Sequence, residues 1–294
     1  VAERYVPQVT RVEVDGRRLK LTSLDKVMYP ATETTKGEVL DYYARVAGVL
    51  LPHLARRPVT RVRWPHGVAD QMFFEKNMPS GAPSWLPGVQ VDDVRYPLVP
   101  GMAELTYLVN LNSLELHVPQ WTVDDDGARE HPDRLVIDLD PGKPAGLREC
   151  ARVALLVRDR LERLGLELHP VTSGSKGMQL YARLGGDLTS DQVRDLAQQL
   201  AQEMTKKHPE LVLWKMTKSL RPGKVFLDWS QNVAAKTTIS PYSLRGRELP
   251  HVAAPRTWDE VEAGAEDDGT LAQLMFDEVL ERVERDGDLL ADLP

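Results

Sequence analysis

A single cysteine in 294 residues, Cys150, excludes an internal disulfide. It falls inside a helical pattern, where a small packing residue is a better reading than a nucleophile. There is no C-x-x-C and no H-E-x-x-H, so the usual zinc frameworks are missing. No stretch approaches the roughly 20 apolar residues that a membrane span needs, and Val1-Ala-Glu-Arg-Tyr-Val-Pro7 has no apolar core of signal-peptide length. No membrane partner and a reducing cytoplasm are expected. No internal repeat or low-complexity segment stands out.

With 42% hydrophobic residues the chain can bury a sizeable core, as one large domain or two small ones. Its net charge of −7 argues at first sight against nucleic acid, but the sum hides an asymmetry. Asp259 to Pro294 carries 13 acids against 2 bases, leaving the first 258 residues with 35 bases against 31 acids. Lys206 to Arg247 alone holds 9 bases and 2 acids. A local basic face is what phosphate binding requires, whatever the sign of the whole chain. Residues 1–258 are therefore read as the main domain and 259–294 as an acidic helical segment packed on it. Its amphipathic helix is predicted over Leu271 to Arg285, with Leu271, Leu274, Met275, Val279 and Leu280 inward.

The most informative stretch is Arg134-Leu-Val-Ile-Asp-Leu-Asp140, closed by Pro141-Gly142. In extended form Asp138 and Asp140 point to one face and Leu135, Ile137 and Leu139 to the other. Two adjacent carboxylates repel unless a divalent metal takes oxygen ligands from both. By itself D-x-D is explained equally well by a capped, solvated turn. Its surroundings favour the metal. A helix over Leu147 to Leu164, a strand over Glu167 to Thr172, the turn Ser173-Gly-Ser-Lys-Gly177, a strand over Met178 to Arg183, a helix capped by Ser190 and a strand over Lys224 to Trp229 follow. This β-α-β-β-α-β order predicts an α+β protein with a ferredoxin/RRM-like sheet, and Asp228 near the end of the last strand can join Asp138 and Asp140. Three carboxylates on one sheet suit two-metal displacement at phosphorus.

Elsewhere, Val9 to Leu21 alternates around Asp15-Gly16, a hairpin signal. Thr35 caps a long helix with Val39, Leu40, Tyr43, Val46, Ala47, Leu50 and Leu51 on one side. Val59 to Trp64 reads as a strand. Of the adjacent Phe73 and Phe74, at most one belongs to a core, leaving the other free as a platform for a base. Residues 77–101, rich in Pro and Gly, read as a surface loop. Leu114 to Pro119 is a strand with Glu115 and His117 on one face. The turn 173–177 is not a P-loop, since no helix follows its lysine, but its amides and hydroxyls with Lys176 can cradle a triphosphate. Arg245 is a further phosphate candidate.

Val136-Ile-Asp-Leu-Asp-Pro-Gly142, Val171-Thr-Ser-Gly-Ser-Lys-Gly177, Met216-Thr-Lys-Ser-Leu-Arg221, Val225-Phe-Leu-Asp-Trp-Ser-Gln-Asn232 and Pro241-Tyr-Ser-Leu-Arg-Gly-Arg247 resemble the polymerase domain of bacterial non-homologous end-joining DNA ligases, a branch of the archaeo-eukaryotic primase superfamily. The similarity runs from about Leu21 to the C-terminus. It implies a primase-polymerase fold, its N-terminal subregion packed around the catalytic sheet, and metal-dependent, template-directed nucleotidyl transfer that fills gaps or extends broken ends with a ribonucleotide preference. It implies two Mn2+ or Mg2+ ions on Asp138, Asp140 and Asp228, and nucleotide contacts from His117, Ser173, Lys176, Gln231 and Arg245. DNA contacts would come from Phe73, Phe74 and Arg221, with Lys26 and Lys36 on a 5′-phosphate. The implied partners are primer-template or gapped DNA, NTP or dNTP, a DNA ligase and Ku, at the nucleoid. Val62 departs from the basic residue relatives carry between Arg61 and Arg63. A primase of replication restart, a two-metal nuclease and a non-catalytic RRM-like module are the alternatives. No K-x-D-G motif is present, so no ligase catalytic core is expected in this chain.

Overall fold

Alternation around Asp15-Gly16 closes the first element of the computed structural model, which describes residues 9–294. Strand β1 (Val9–Val14) pairs antiparallel with β2 (Arg17–Thr22), and Asp15 and Gly16 both take positive φ, as a tight two-residue hairpin turn requires. The first seven residues, read above as lacking a signal-peptide core, lie outside the described residues. A small pair, β3 (Val27–Tyr29) and β4 (Thr34–Thr35), leads into α1 (Lys36–Leu54). Thr35 caps α1 reciprocally with Glu38: its hydroxyl accepts the Glu38 N–H at 3.3 Å and its own N–H donates to the Glu38 carboxylate at 2.8 Å. This satisfies amides at the helix start that have no intrahelical partner.

Next come β5 (Thr60–Arg63), β6 (Phe73–Glu75), β7 (Gly88–Val91), β8 (Val94–Pro97), α2 (Met102–Asn110) and β9 (Ser113–Val118). Residues 77–101 are thus not a bare loop. Val89, Val91, Val94 and Tyr96 alternate about Asp92-Asp93, and β7–β8 pairs their backbone groups while Leu86, Val89 and Val99 are buried. A four-stranded sheet forms in the order β17-β9-β5-β6, with β17 at Thr238–Ile239. It packs with α1 and α2 around Tyr42, Tyr43, Leu50, Leu105, Leu114 and Leu116.

After the short hairpin β10 (Trp121–Val123) and β11 (Arg129–Pro132), the second sheet is built from β12 (Arg134–Pro141), α3 (Leu147–Glu162), β13 (Leu168–Thr172), β14 (Met178–Arg183), α4 (Ser190–Lys207), β15 (Val212–Leu213), β16 (Val225–Asp228) and β18 (Ala254–Pro255). Its order is β15-β16-β12-β14-β13-β18, with neighbouring strands antiparallel except β15 and β16, which run parallel. Leu135, Ile137 and Leu139 join a core with α3 and α4, while Val136 packs on the opposite face with Tyr181 and Ile239. The two faces of β12 therefore separate by parity, and Asp138 and Asp140 fall on the Val136 side.

Two helix starts differ from the sequence reading. Thr189, not Ser190, caps α4, because only Thr189 has a glutamine three residues on, Gln192, to return the hydrogen bond. The last helix, α6 (Phe276–Asp286), begins five residues later than Leu271. Leu274 O accepts the Val252 N–H at 3.0 Å and Phe276 N donates to Pro250 O at 3.1 Å, so this stretch is engaged by a neighbouring segment and cannot wind. Leu271, Leu274, Val279 and Leu280 are nevertheless buried. A further helix in the acidic segment, α5 (Trp258–Glu266), is capped by Thr257 and packs on α3.

Candidate active site

Strand register brings the carboxylates together. Asp138 lies opposite Asp228 of β16 on one side and Gln179 of β14 on the other. Burial first, then the charges of Asp140 and Asp228, push the Asp138 carboxyl well above the usual carboxylate range, against a hydrogen bond from Gln179. Asp140 faces two cations, Lys176 at 3.5 Å and Arg221 at 3.9 Å. Asp228 caps the turn Trp229–Asn232: Oδ1 accepts from Ser230 N at 3.0 Å and Ser230 Oγ at 2.5 Å, and Oδ2 from Gln231 Nε2 at 3.0 Å. Among the described residues, no three His, Cys, Asp or Glu side chains stand together so that they could hold a metal ion. The donor set nevertheless fits a hard divalent cation. Crowded carboxylate oxygens are what such an ion prefers, and it would relieve the repulsion that pushes the Asp138 carboxyl up.

In front of Asp138 and Asp140 opens a cleft of about 340 Å³. His117, Ser173, Lys176, Gln231 and Arg245, all five residues singled out for the nucleotide, line it. The turn is shaped from within: Ser173 Oγ accepts the N–H groups of Ser175 and Gly177, each at 3.3 Å. Gly177 is required by close approach, since a Cβ there would lie 2.0 Å from Leu139 O. Arg245 is brought in by a segment stapled to α1 and β3. Tyr42 OH donates to Tyr242 O at 2.7 Å, Leu244 N to Tyr43 OH at 3.1 Å, and Tyr29 OH to Arg245 O at 2.8 Å. The cleft therefore lies where the two sheets meet.

Sequence reasoning missed several residues here. Gln179, Arg247 and Thr237 line the cleft, and Gln273 reaches the turn from the acidic segment. Gln273 Oε1 accepts the Gly174 N–H at 2.7 Å while its Nε2 donates to Gly177 O at 2.9 Å. No sequence signal marks it, because the contact spans almost 100 residues. Substituting Gln273 by Ala is expected to loosen the turn and raise the KM for nucleotide severalfold, with DNA affinity unchanged. An unaltered KM in primer extension would show that the turn holds itself.

The residues assigned to DNA sit outside this cleft. Phe73 and Phe74 are 42% and 53% exposed. Neither enters a core, because β6 is an edge strand of the first sheet. The Phe74 ring meets His117 edge-on at 6.3 Å. Val62 is buried, and its neighbours Arg61 and Arg63 both bind Glu75, at 2.9 and 2.6 Å. Arg221 stacks its guanidinium 4.0 Å from the Phe226 ring and turns toward Asp140. Lys36 is buried, its ammonium donating to Thr22 O at 2.8 Å, and Lys26 donates to Pro65 O at 2.9 Å. Burial and the Lys26 charge hold the Lys36 ammonium down to about 8, so two cations adjoin at the start of α1.

The family model described as the LigD primase-polymerase domain matches residues 35–290. The chain is 51% identical over 280 residues to the multifunctional non-homologous end joining protein LigD of Mycolicibacterium smegmatis, an alignment covering 94% of this chain and 36% of that protein. Against the multifunctional non-homologous end joining DNA repair protein LigD of Mycobacterium tuberculosis it is 50% identical over 286 residues, covering 94% and 37%. The bifunctional non-homologous end joining protein LigD of Bacillus subtilis is 34% identical over 271 residues, covering 92% and 43%. A solved structure of the polymerase domain from Mycobacterium tuberculosis ligase D in complex with DNA superposes with a TM-score of 0.89 at 48% identity, covering 94% of this chain and 98% of that one. The chain belongs to the family of LigD primase-polymerase domains. It spans a little over a third of the length of the mycobacterial relatives. Among the described residues, no helix is long and apolar enough to cross a membrane.

Proposed function

We propose that the chain is a metal-dependent, template-directed nucleotidyltransferase that fills short gaps or extends broken DNA ends with a preference for ribonucleotides. The observation that carries this reading is the register pairing of Asp138 with Asp228 beside a cleft lined by Lys176, Arg245 and Arg247. Asp138, Asp140 and Asp228 would hold two Mn2+ or Mg2+ ions, which, when bound, lower the barrier to attack at phosphorus. The chain's own residues bind and orient. Ser173 and Lys176 hold the triphosphate, Gln231 braces Asp228, and Arg245 and His117 close the far wall. The order β16-β12-β14-β13 supports reading the second sheet as a ferredoxin-like catalytic sheet. The packing of α5 on α3 and of α6 on α1 supports reading residues 259–294 as part of the same domain. A ligase and Ku would be partners at the nucleoid; the non-homologous end joining role of the longer relatives supports the pathway. Primer extension on gapped, nicked and 3′-overhang DNA, with ribo- and deoxynucleotides, tests this. A labelled primer that shortens instead of growing would make the protein a nuclease.

On the DNA side, Lys26 and Lys36 would take the 5′-phosphate at the downstream edge of a gap. The first amides of α1 are taken up by Lys26 O, Leu24 O and the Thr35 hydroxyl, so what the helix start offers an anion is the positive end of its dipole together with the charge of the two adjoining ammoniums. Removing that phosphate is expected to weaken binding by the wild type by about 1–3 kcal/mol. The Lys26→Ala, Lys36→Ala double mutant should bind phosphorylated and unphosphorylated gaps alike, at one fixed salt concentration. A double mutant that keeps the wild-type margin would refute the assignment.

A further inference from the structure

We infer that Glu115 is the positioning residue of the nucleotide site, a buried carboxylate that aims both His117 and Arg245 at the triphosphate of the incoming nucleotide. The inference rests on the nucleotidyltransferase reading above. Glu115 sits on β9 with 6% of its surface exposed and has no path to solvent chemistry of its own. Its Oε2 accepts from His117 Nε2 at 2.7 Å and from Arg245 Nη1 at 3.3 Å, and its Oε1 accepts the Gly246 N–H at 3.0 Å. One oxygen thus holds both side chains, and the other ties them to the backbone that carries Arg245. That backbone has little room to shift, because a Cβ on Gly246 would lie 2.2 Å from the Trp64 ring.

The chemistry follows from the charge state. Burial pushes the Glu115 carboxyl up, but His117, Arg245 and the Gly246 amide outweigh it and hold it down to about 2. An ionised carboxylate only accepts hydrogen bonds, so His117 Nε2 must carry its hydrogen and Nδ1 is the ring nitrogen left to the cleft. Arg245 likewise spends Nη1 on Glu115 and keeps its remaining donors for the ligand. The negative charge also offsets part of the repulsion among Arg245, Arg247 and Lys176 while the cleft holds no triphosphate. The fold gains nothing from a fixed imidazole tautomer; a phosphate-binding site does.

The test uses the full chain on a gapped duplex with a ribonucleoside triphosphate and Mn2+. Glu115→Gln keeps the shape and removes the charge. It is expected to raise the nucleotide KM about 10- to 100-fold, with kcat at saturating nucleotide within about threefold and DNA affinity within about twofold of wild type. In His117→Ala and Arg245→Ala backgrounds the same change should add less than about threefold, since its targets are gone. Nitrogen-15 NMR of wild-type His117 at pH 8 should show the Nε2–H tautomer. A KM within about twofold of wild type, an undiminished effect in both backgrounds, or an Nδ1–H tautomer in the wild type would overturn the inference. The tautomer measurement decides even where the variant fails to fold. A wild type that extends no primer would overturn the polymerase reading instead, and the tautomer would still decide for or against Glu115.

Discussion

Replacing Asp138 by Asn is expected to abolish primer extension, lowering kcat about 100-fold or more, while DNA affinity stays within about twofold and the metal-free protein becomes more heat-stable. The loss follows from removing a charged oxygen ligand in a site whose work is electrostatic stabilisation, where single contributions of several kcal/mol are usual. The gain in stability follows from the raised carboxyl. A carboxyl whose folded value lies above its unfolded one binds its proton more tightly in the folded state. It therefore costs no stability below the ordinary carboxylate range, and its penalty grows as the pH rises toward the folded value. Asn carries no such penalty, so the difference in melting temperature between variant and wild type in EDTA should be larger at pH 8 than at pH 5, by a few degrees. Millimolar Mn2+ or Mg2+ should then raise the wild-type melting temperature more than that of the variant, since the ion binds the folded state and meets fewer ligands there. Near-wild-type extension by Asp138→Asn, or identical melting shifts with metal, would remove the assignment.

Lys176→Ala and Arg245→Ala are each expected to raise the nucleotide KM about 10- to 100-fold at unchanged DNA affinity, because charge-assisted bonds to phosphate are the stronger class. The two variants should differ in a second measurement. The Lys176 side chain is 58% exposed and contacts Asp140 at 3.5 Å, so its loss leaves no buried group without a partner and should hardly move the melting temperature. Arg245 is 14% exposed and shares Glu115 with His117. Truncating it weakens the support of a buried carboxylate, and about 1–3 kcal/mol of stability should go with it. Equal loss of DNA affinity in either variant would place that residue on the nucleic-acid track instead.

Local chemistry was enough for what depends on nearest neighbours along the chain. Strand parity placed Asp138 and Asp140 on one face, Asp15-Gly16 marked a hairpin, and Thr35 with Glu38 marked the start of α1, since backbone geometry and hydrogen-bond reach over three residues need no other information. Motif strings in order pointed to the family and to five of the residues that line the cleft. Tertiary structure decided the rest. The edge position of β6 leaves both Phe73 and Phe74 exposed, and edges are set by which strands pair, not by a strand's own residues. Contact with 250–252 delays α6 to Phe276, overriding a periodicity that by itself favours an earlier helix. Glu115 meets Arg245 across 130 positions and Gln273 meets the 173–177 turn across almost 100. A polar side chain carries no mark of its partner when that partner is brought in only by the folding of two sheets against each other.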